Sequence, residues 1–476
     1  MSNAQTIARN TGLIFIGELT TRALAFALVV VIARHLGGIG LGAYSFAFAF
    51  TDLLLNVADM GIPIYMARRI GRNRSETQAC LSSVLGIRTA LLPLILIAGV
   101  AFAYATGATT ETRTIILLAT AGMALNFLAD PFRAVFMAHE RNAYYSAILI
   151  AERLIFTITG IALLAAGKGL VPVMLAYIAS QLVAVAANAY FVRRGFSAFT
   201  IKLDRQQASA ILKGAAPIWA ANFLRMVYQR ADALMLSAMK GFEATGLYSS
   251  AYKITEALTV VPLALIGATL PAMSKFFSTS SQSLKVLYEK SFYYLLLLAL
   301  PMAAGLTLTA DRIILFLYGP QFSAAAAALI MLAWAEALLF LHLIMGFLLT
   351  AIDRQGLFTA ATAAYAAANV AINLVLIPRY GAAGAAAAAL ATQAIAVAIL
   401  YTFCSKNGYA INLPRIIWKP AAATAAMAAT MILMSNLHLM ATVPAAAATY
   451  VAALVLLKGI GKEDAKLLMN VVLNRP

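Results

Sequence analysis

Cysteine is nearly absent, with only Cys80 and Cys404 in 476 residues, so neither a disulfide framework nor a cysteine-ligated metal site is available. Charge is scarce as well. Only 11% of residues are Asp, Glu, Lys or Arg, where a soluble domain carries roughly 25%. The four histidines show no ligand spacing, and GxSxG, HExxH and phosphate-cradling GxxxxGK[ST] patterns are missing. Without the last of these, no ATP hydrolysis by this chain is expected. Gly38, Gly40 and Gly42 echo part of a dinucleotide fingerprint, but no strand precedes them. What remains is apolar: 63% of residues are hydrophobic and the mean hydropathy is +0.86. These values exclude a soluble enzyme, a nucleic-acid-binding domain and a secreted disulfide scaffold. They fit an all-α polytopic membrane protein built from helices of about 20 apolar residues.

Apolar runs place fourteen spans, from 11–34 and 42–64 at one end to 416–436 and 440–458 at the other. Arg9 is the one basic residue before the first run, which Glu18 and Arg22 interrupt. A signal peptide needs an unbroken apolar core, so the segment reads as a retained first helix. Acid is outnumbered, 18 residues against 35 Lys and Arg, giving a net charge of +17. In a soluble protein this would suggest nucleic acid. Here 23 of the 35 cations fall on one side of the spans and 6 on the other. That is the positive-inside bias, and it places both termini in the cytoplasm. Arg133 and Arg141 count among the 23. The reading is of a multi-pass protein of the cytoplasmic membrane.

The chain also repeats. Gly42-Ala43-Tyr44-Ser45-Phe46-Ala47 matches Gly246-Leu247-Tyr248-Ser249-Ser250-Ala251 at an offset that also pairs Gly37 with Gly241 and Asp52 with Glu256. Six spans separate the copies, so both have the same orientation. Parallel repeats place a substrate path between them. The expected organisation is an N-terminal six-helix lobe over 1–200, a second over 201–405, and a terminal helix pair with tail over 406–476. Alanine runs at 324–328, 385–389 and 445–448 suit close helix contacts.

Ionisable side chains at bilayer depth cost several kcal/mol unless paired or wet, so they mark cavities or bundle interiors. Glu18 and Arg22 stand four apart, suiting an ion pair on one face. Ser45, Asp52, Asn56 and Asp59 form a stripe, with Asp59 beside Gly61 and Pro63 where the helix should end. Adjacent Glu152 and Arg153 diverge by about 100° and cannot pair with each other. Asn222, Arg225, Gln229 and Asp232 share a face, with Arg230 pointing away. Ser249, Lys253 and Glu256 form a further stripe. Arg88 is placed near the cytoplasmic end, free to snorkel, and His342 is a hydrogen-bonded bundle residue. For each charge a buried structural pair is the alternative to a functional role. The cations Arg22, Arg153, Arg225, Arg230 and Lys253 would suit a polyanion such as a pyrophosphate. The acids Glu18, Asp52, Asp232 and Glu256 would temper that charge or carry a coupling proton or sodium ion. No cofactor or metal is expected.

Several ordered motifs carry a family likeness. They are Ala33-Arg34-His35-Leu36-Gly37, Ala58-Asp59-Met60-Gly61 with Arg68-Arg69, Ala216-Pro217 leading to Arg230-Ala231-Asp232, Ala251-Tyr252-Lys253-Ile254-Thr255-Glu256, and Asn373-Leu374-Val375-Leu376-Ile377-Pro378-Arg379-Tyr380-Gly381. From about Asn10 to about Tyr401 the chain resembles the polysaccharide-transporter branch of the multidrug/oligosaccharidyl-lipid/polysaccharide exporter superfamily, the O-antigen-type flippases. The resemblance implies two six-helix bundles, usually with two further helices, that move undecaprenyl-pyrophosphate-linked glycans by alternating access. It implies membrane lipids, a lipid-linked oligosaccharide and glycan polymerase or ligase machinery as partners. A lipid II flippase and an ion-coupled multidrug antiporter of the same superfamily are the neighbouring alternatives. A membrane glycan polymerase or ligase fits less well, since the first outside loop, Arg34 to Leu41, contains no acid.

Overall fold

A computed structural model describes residues 3–459. The side chains of Pro217, Asn222 and Arg225 lie outside that description. The described chain is helical, with no strand among those residues. Its elements are α1 (Asn3–Asp59), α2 (Ile62–Arg72), α3 (Thr77–Ala105), α4 (Thr110–Ala138), α5 (Asn142–Ala165), α6 (Leu170–Gly195) and α7 (Arg205–Leu258). They continue with α8 (Val260–Thr279), α9 (Ser281–Tyr318), α10 (Ala325–Ala351), α11 (Gln355–Lys406), α12 (Leu413–Leu433) and α13 (Leu439–Leu456).

Eleven candidate membrane spans are described. Three are long because a glycine breaks the helix without ending it: Gly37 in α1, Gly241 in α7 and Gly381 in α11. Counting each side of these breaks separately recovers the fourteen apolar segments of the sequence. The protein is a multi-pass membrane protein. Large apolar side chains such as Leu94, Ile97, Ile158 and Phe316 stay exposed on its surface, as lipid contact requires. The second apolar segment, read as 42–64, ends as a helix at Asp59, beside Gly61 and Pro63 as the sequence suggests. Gly61 takes a left-handed conformation there (φ 69°), and Pro63 opens the separate amphipathic α2. Proline suits a first helical turn, where no backbone N–H partner is lost.

Packing gathers the chain into two compact units. The first comprises Met1–Ala257, Tyr318–Phe322 and Asn369–Ala385. In its core Ile62, Met66 and Ile70 of α2 meet Leu81, Val84 and Leu85 of α3, together with Phe136, Ala184 and Ile211. The second comprises Leu258–Leu317, Ser323–Ala368 and Ala386–Pro476. It buries Phe292, Leu295 and Leu296 of α9 against Phe340, Ile344 and Leu348 of α10. Within it α12 and α13 pack on Leu297 through Ala423, Met427, Ala446 and Tyr450, and the Tyr450 hydroxyl donates to the Leu297 carbonyl at 2.6 Å. Fully buried Ala423 and nearly buried Ala446 are the small residues that permit this approach.

The sequence repeat has a structural counterpart inside the first unit. Gly37 (φ 65°, ψ −166°) and Gly241 (φ 80°, ψ −174°) adopt nearly the same backbone, in a region that only glycine populates readily. A Cβ at Gly42 would meet the Phe242 carbonyl oxygen at 1.8 Å, and one at Gly246 would meet the Gly38 carbonyl oxygen at 2.0 Å. These two contacts are the same contact related by the repeat: α1 and α7 cross on each other's broken segment.

A candidate charged cavity

Inside the first unit a cavity of about 310 Å³ is lined by α1, α4, α5, α6 and both arms of α7. A second chamber of about 290 Å³ shares Glu18, Thr21, Ala25, Arg153, Arg230 and Lys253 with it. The first chamber adds Tyr44, Ser45, Asp52, Asn126, Glu152, Tyr177, Gln181, Tyr248 and Ser249. The second adds Arg22, Phe26 and Glu256. Arg22 and Arg153 come from the first half of the sequence repeat, Arg230 and Lys253 from the second. The structure therefore brings four of the five sequence-selected cations into one connected space. Arg225, the fifth, lies outside the described side chains.

The four differ in how they are held. Arg230 pairs with Asp52 at 2.6 Å, joining the repeat-related helices. Lys253 pairs with Glu256, one helical turn on. Arg153 lies over the Phe156 ring, and no ion pair holds Arg22 or Arg153 among the described residues. In the second chamber four cations (Arg22, Arg153, Arg230, Lys253) face two acids (Glu18, Glu256). In the first, three cations face three acids, Glu18, Asp52 and Glu152. The positive excess is thus confined to the second chamber.

Several sequence expectations are corrected here. Glu18 does not pair with Arg22 among the described residues; its carboxylate accepts from the Tyr145 hydroxyl at 3.2 Å. Arg230 faces the cavity beside Gln229, so the polar stripe of α7 is rotated relative to the expected one. Asp232 lines neither chamber. It is 7% exposed and accepts from the Tyr248 hydroxyl at 2.7 Å and from the Asn373 amide at 2.6 Å. Arg88 does not snorkel. It is fully buried, paired with Asp59 and Asp130, and donates to the Phe127 carbonyl. Asp59 is indeed structural, at the end of α1. Arg133 is no loop charge but is 8% exposed within α4. It pairs with Asp130 at 3.0 Å and with Glu152 at 2.8 Å.

The chain Asp59–Arg88–Asp130–Arg133–Glu152 is what sequence reasoning missed. Gln181 completes it, donating to Glu152 at 2.7 Å, and Asn126 accepts from Arg133 at 3.2 Å. The one signal was the Asp130–Arg133 spacing on a helix. Its effect is to hold Glu152, Asn126 and Gln181 in place on one wall of the first chamber. In the second unit, His342 hydrogen-bonds to Gln393 at 2.6 Å. No cluster among the described residues has the makings of a metal site.

With this geometry in view the comparisons are direct. Residues 7–277 match the model of the polysaccharide biosynthesis protein family, which is more than half of the chain. The chain belongs to this family. Among curated relatives, a probable low-salt glycan biosynthesis flippase of Haloferax volcanii, Agl15, is 24% identical over 82% of this chain and 81% of its own. A probable flippase of the same organism, AglR, is 24% identical over 54% of this chain and 53% of its own. Among solved structures, the lipid II flippase MurJ in an inward closed conformation superposes with a TM-score of 0.77 at 13% identity, covering 92% of this chain and 97% of that one. An inward-facing multidrug resistance transporter of the MATE family gives 0.69 at 17% identity, covering 82% and 94%. This member of the polysaccharide biosynthesis family thus has the same fold as those two transporters.

Proposed function

We propose that the chain is a flippase that carries a lipid-linked oligosaccharide, its glycan joined to the lipid by a pyrophosphate, across the cytoplasmic membrane by alternating access for surface polysaccharide synthesis. The observation that carries this reading is the second chamber, where Arg22 and Arg153 present guanidiniums that no ion pair holds among the described residues. Arginine takes phosphate oxygens through paired hydrogen bonds, and in a site shielded from water such bonds are stronger than in bulk. A pyrophosphate displaces little there, because Arg230 and Lys253 already have counter-ions. The family membership and the flippase relatives from Haloferax volcanii support a flippase of glycan biosynthesis. An antiporter of organic cations would be served better by a chamber with an acidic excess.

In this reading Arg22, Arg153, Arg225, Arg230 and Lys253 meet the head group. Glu18, Asp52 and Glu256 sit where a coupling proton or sodium ion could exchange with the cavity, whereas Asp232 would act from its buried polar cluster with Asn373. Both termini are assigned to the cytoplasm by the distribution of basic residues. The test is complementation of a surface-glycan-deficient flippase mutant. Arg153→Ala and Lys253→Ala should each abolish surface glycan while the protein still inserts. Full activity in both would remove the reading.

A further inference from the structure

A second basic pocket lies in the first unit, sharing no residue with either chamber. Its volume is about 280 Å³, and Arg74, His139, Arg141, Tyr144, Gly195 and Phe196 line it. Three elements build it: the short turn before α3, the α4–α5 connection, and the end of α6. No acidic side chain is in the lining. The connection is tight: Glu140 turns the chain with φ 59°, and the Arg141 amide returns to the Phe136 carbonyl at 2.9 Å. That turn places His139 and Arg141 on either side of one residue. His139 is fixed by Thr77, whose hydroxyl lies 3.1 Å from Nε2, which ties the imidazole to the helix that follows Arg74.

The pocket rests on aromatic rings. Phe196 meets His139, Phe136 and Tyr144 at centroid distances of 5.3, 5.4 and 5.9 Å, and Tyr144 continues to Phe191 at 5.3 Å. Beside them the surface is apolar and uncovered: Met137 is 47%, Tyr144 39%, Phe191 37% and Tyr190 52% exposed. Exposed aromatics at the end of a membrane helix mark the level of the lipid head groups. Arg193 and Arg194 occupy the last turn of α6 at the same level. Basic pockets at that depth are where acidic head groups dock.

We propose that this pocket binds the phosphate of an acidic glycerophospholipid head group, Arg74 and Arg141 taking its oxygens while Tyr144 and Phe196 seat the glycerol end of the chains. The site is separate from the transport reading and stands or falls without it. The test is native mass spectrometry and thermal unfolding of the purified full chain titrated with phosphatidylglycerol or cardiolipin, with phosphatidylcholine as the neutral reference. Wild-type protein should retain the acidic lipid and gain thermal stability from it. Arg74→Gln with Arg141→Gln should weaken retention about 30-fold, near fivefold for each arginine. A charge-matched pair of exposed residues in the second unit, Lys406→Gln with Arg415→Gln, should leave it unchanged. Equal losses in both pairs would mean diffuse attraction to basic surface and would overturn the site, as would full retention in the first pair. Displacement by millimolar inorganic phosphate would likewise overturn it in favour of a free-anion site. Should the Arg74/Arg141 variant not fold, a photoactivatable phosphatidylglycerol on wild-type protein decides. Crosslinks within 137–144 or 190–196 support the site, and their absence there refutes it.

Discussion

The crossing of α1 and α7 gives a prediction that can be sized directly. Alanine at Gly42 would put a methyl carbon 1.8 Å from the Phe242 carbonyl oxygen and 2.6 Å from its carbon. Non-bonded heavy atoms settle at about 3.5 Å, so the two backbones would have to part by about 1.7 Å. Neither obstacle is a side chain that can rotate away. The cost should reach or exceed the upper end of the about 1–3 kcal/mol typical of overpacking. Gly246→Ala meets the Gly38 carbonyl at 2.0 Å and should cost a similar amount. The double variant should cost clearly less than the two together, because one separation relieves both clashes. Gly38→Ala is the internal control: its nearest neighbour, the Glu243 Cγ, is 3.5 Å away, an ordinary contact, and it should lose nothing. Unfolding in detergent, followed by tryptophan fluorescence, measures all four. Wild-type stability in Gly42→Ala, or strict additivity in the double variant, would refute the crossing.

Other outcomes follow from the buried charges and the α4–α5 turn. Arg88→Met should destabilise the chain by about 3 kcal/mol, the low end for stranding a buried charge. The discount is due because the Asp59 and Asp130 side chains keep 28% and 35% exposure. Adding Asp59→Asn should recover part of the loss in the same unfolding assay. Burial, then the Arg74 guanidinium, hold the His139 imidazole below its ordinary 6.5. The unfolded chain therefore takes up a proton first as pH falls below 6.5, and stability present above that value should decline through the window beneath it. His139→Gln should flatten that slope in lipid-free detergent, and an unchanged slope would contradict the assignment. Asp52→Asn frees Arg230 from its carboxylate, so it should alter the pH or sodium dependence of transport.

Much of this was legible in the sequence because it depends on local pattern. Hydropathy alone yields the spans, and the repeat pairs Gly37 with Gly241 before their shared backbone is seen. The cost of buried charge selects Arg22, Arg153, Arg225, Arg230 and Lys253; all but Arg225, which lies outside the described side chains, line one connected cavity. What failed depends on how each helix is rotated against its neighbours. Arg133 reads as a loop cation because it is close to the end of its span, yet Glu152 of α5 draws it inward. Asp232 shares a helical face with Gln229 on paper, but the cavity takes the Gln229–Arg230 side, and Asn373, some 140 positions away, holds the acid elsewhere. Arg88 likewise gains its partners from α1 and α4, which no spacing within α3 could announce.

The most direct measurement is pyrophosphate-lipid binding and flipping in proteoliposomes by Arg22→Gln with Arg153→Gln, beside wild type. These two guanidiniums are the second-chamber cations that no ion pair holds among the described residues, and each charge-assisted contact is worth about 1.5–3 kcal/mol. The double variant should therefore bind lipid-linked glycan at least a hundredfold more weakly and lose flipping, with its unfolding profile intact. Wild-type affinity and rate in that variant would contradict a cationic carrier for the head group.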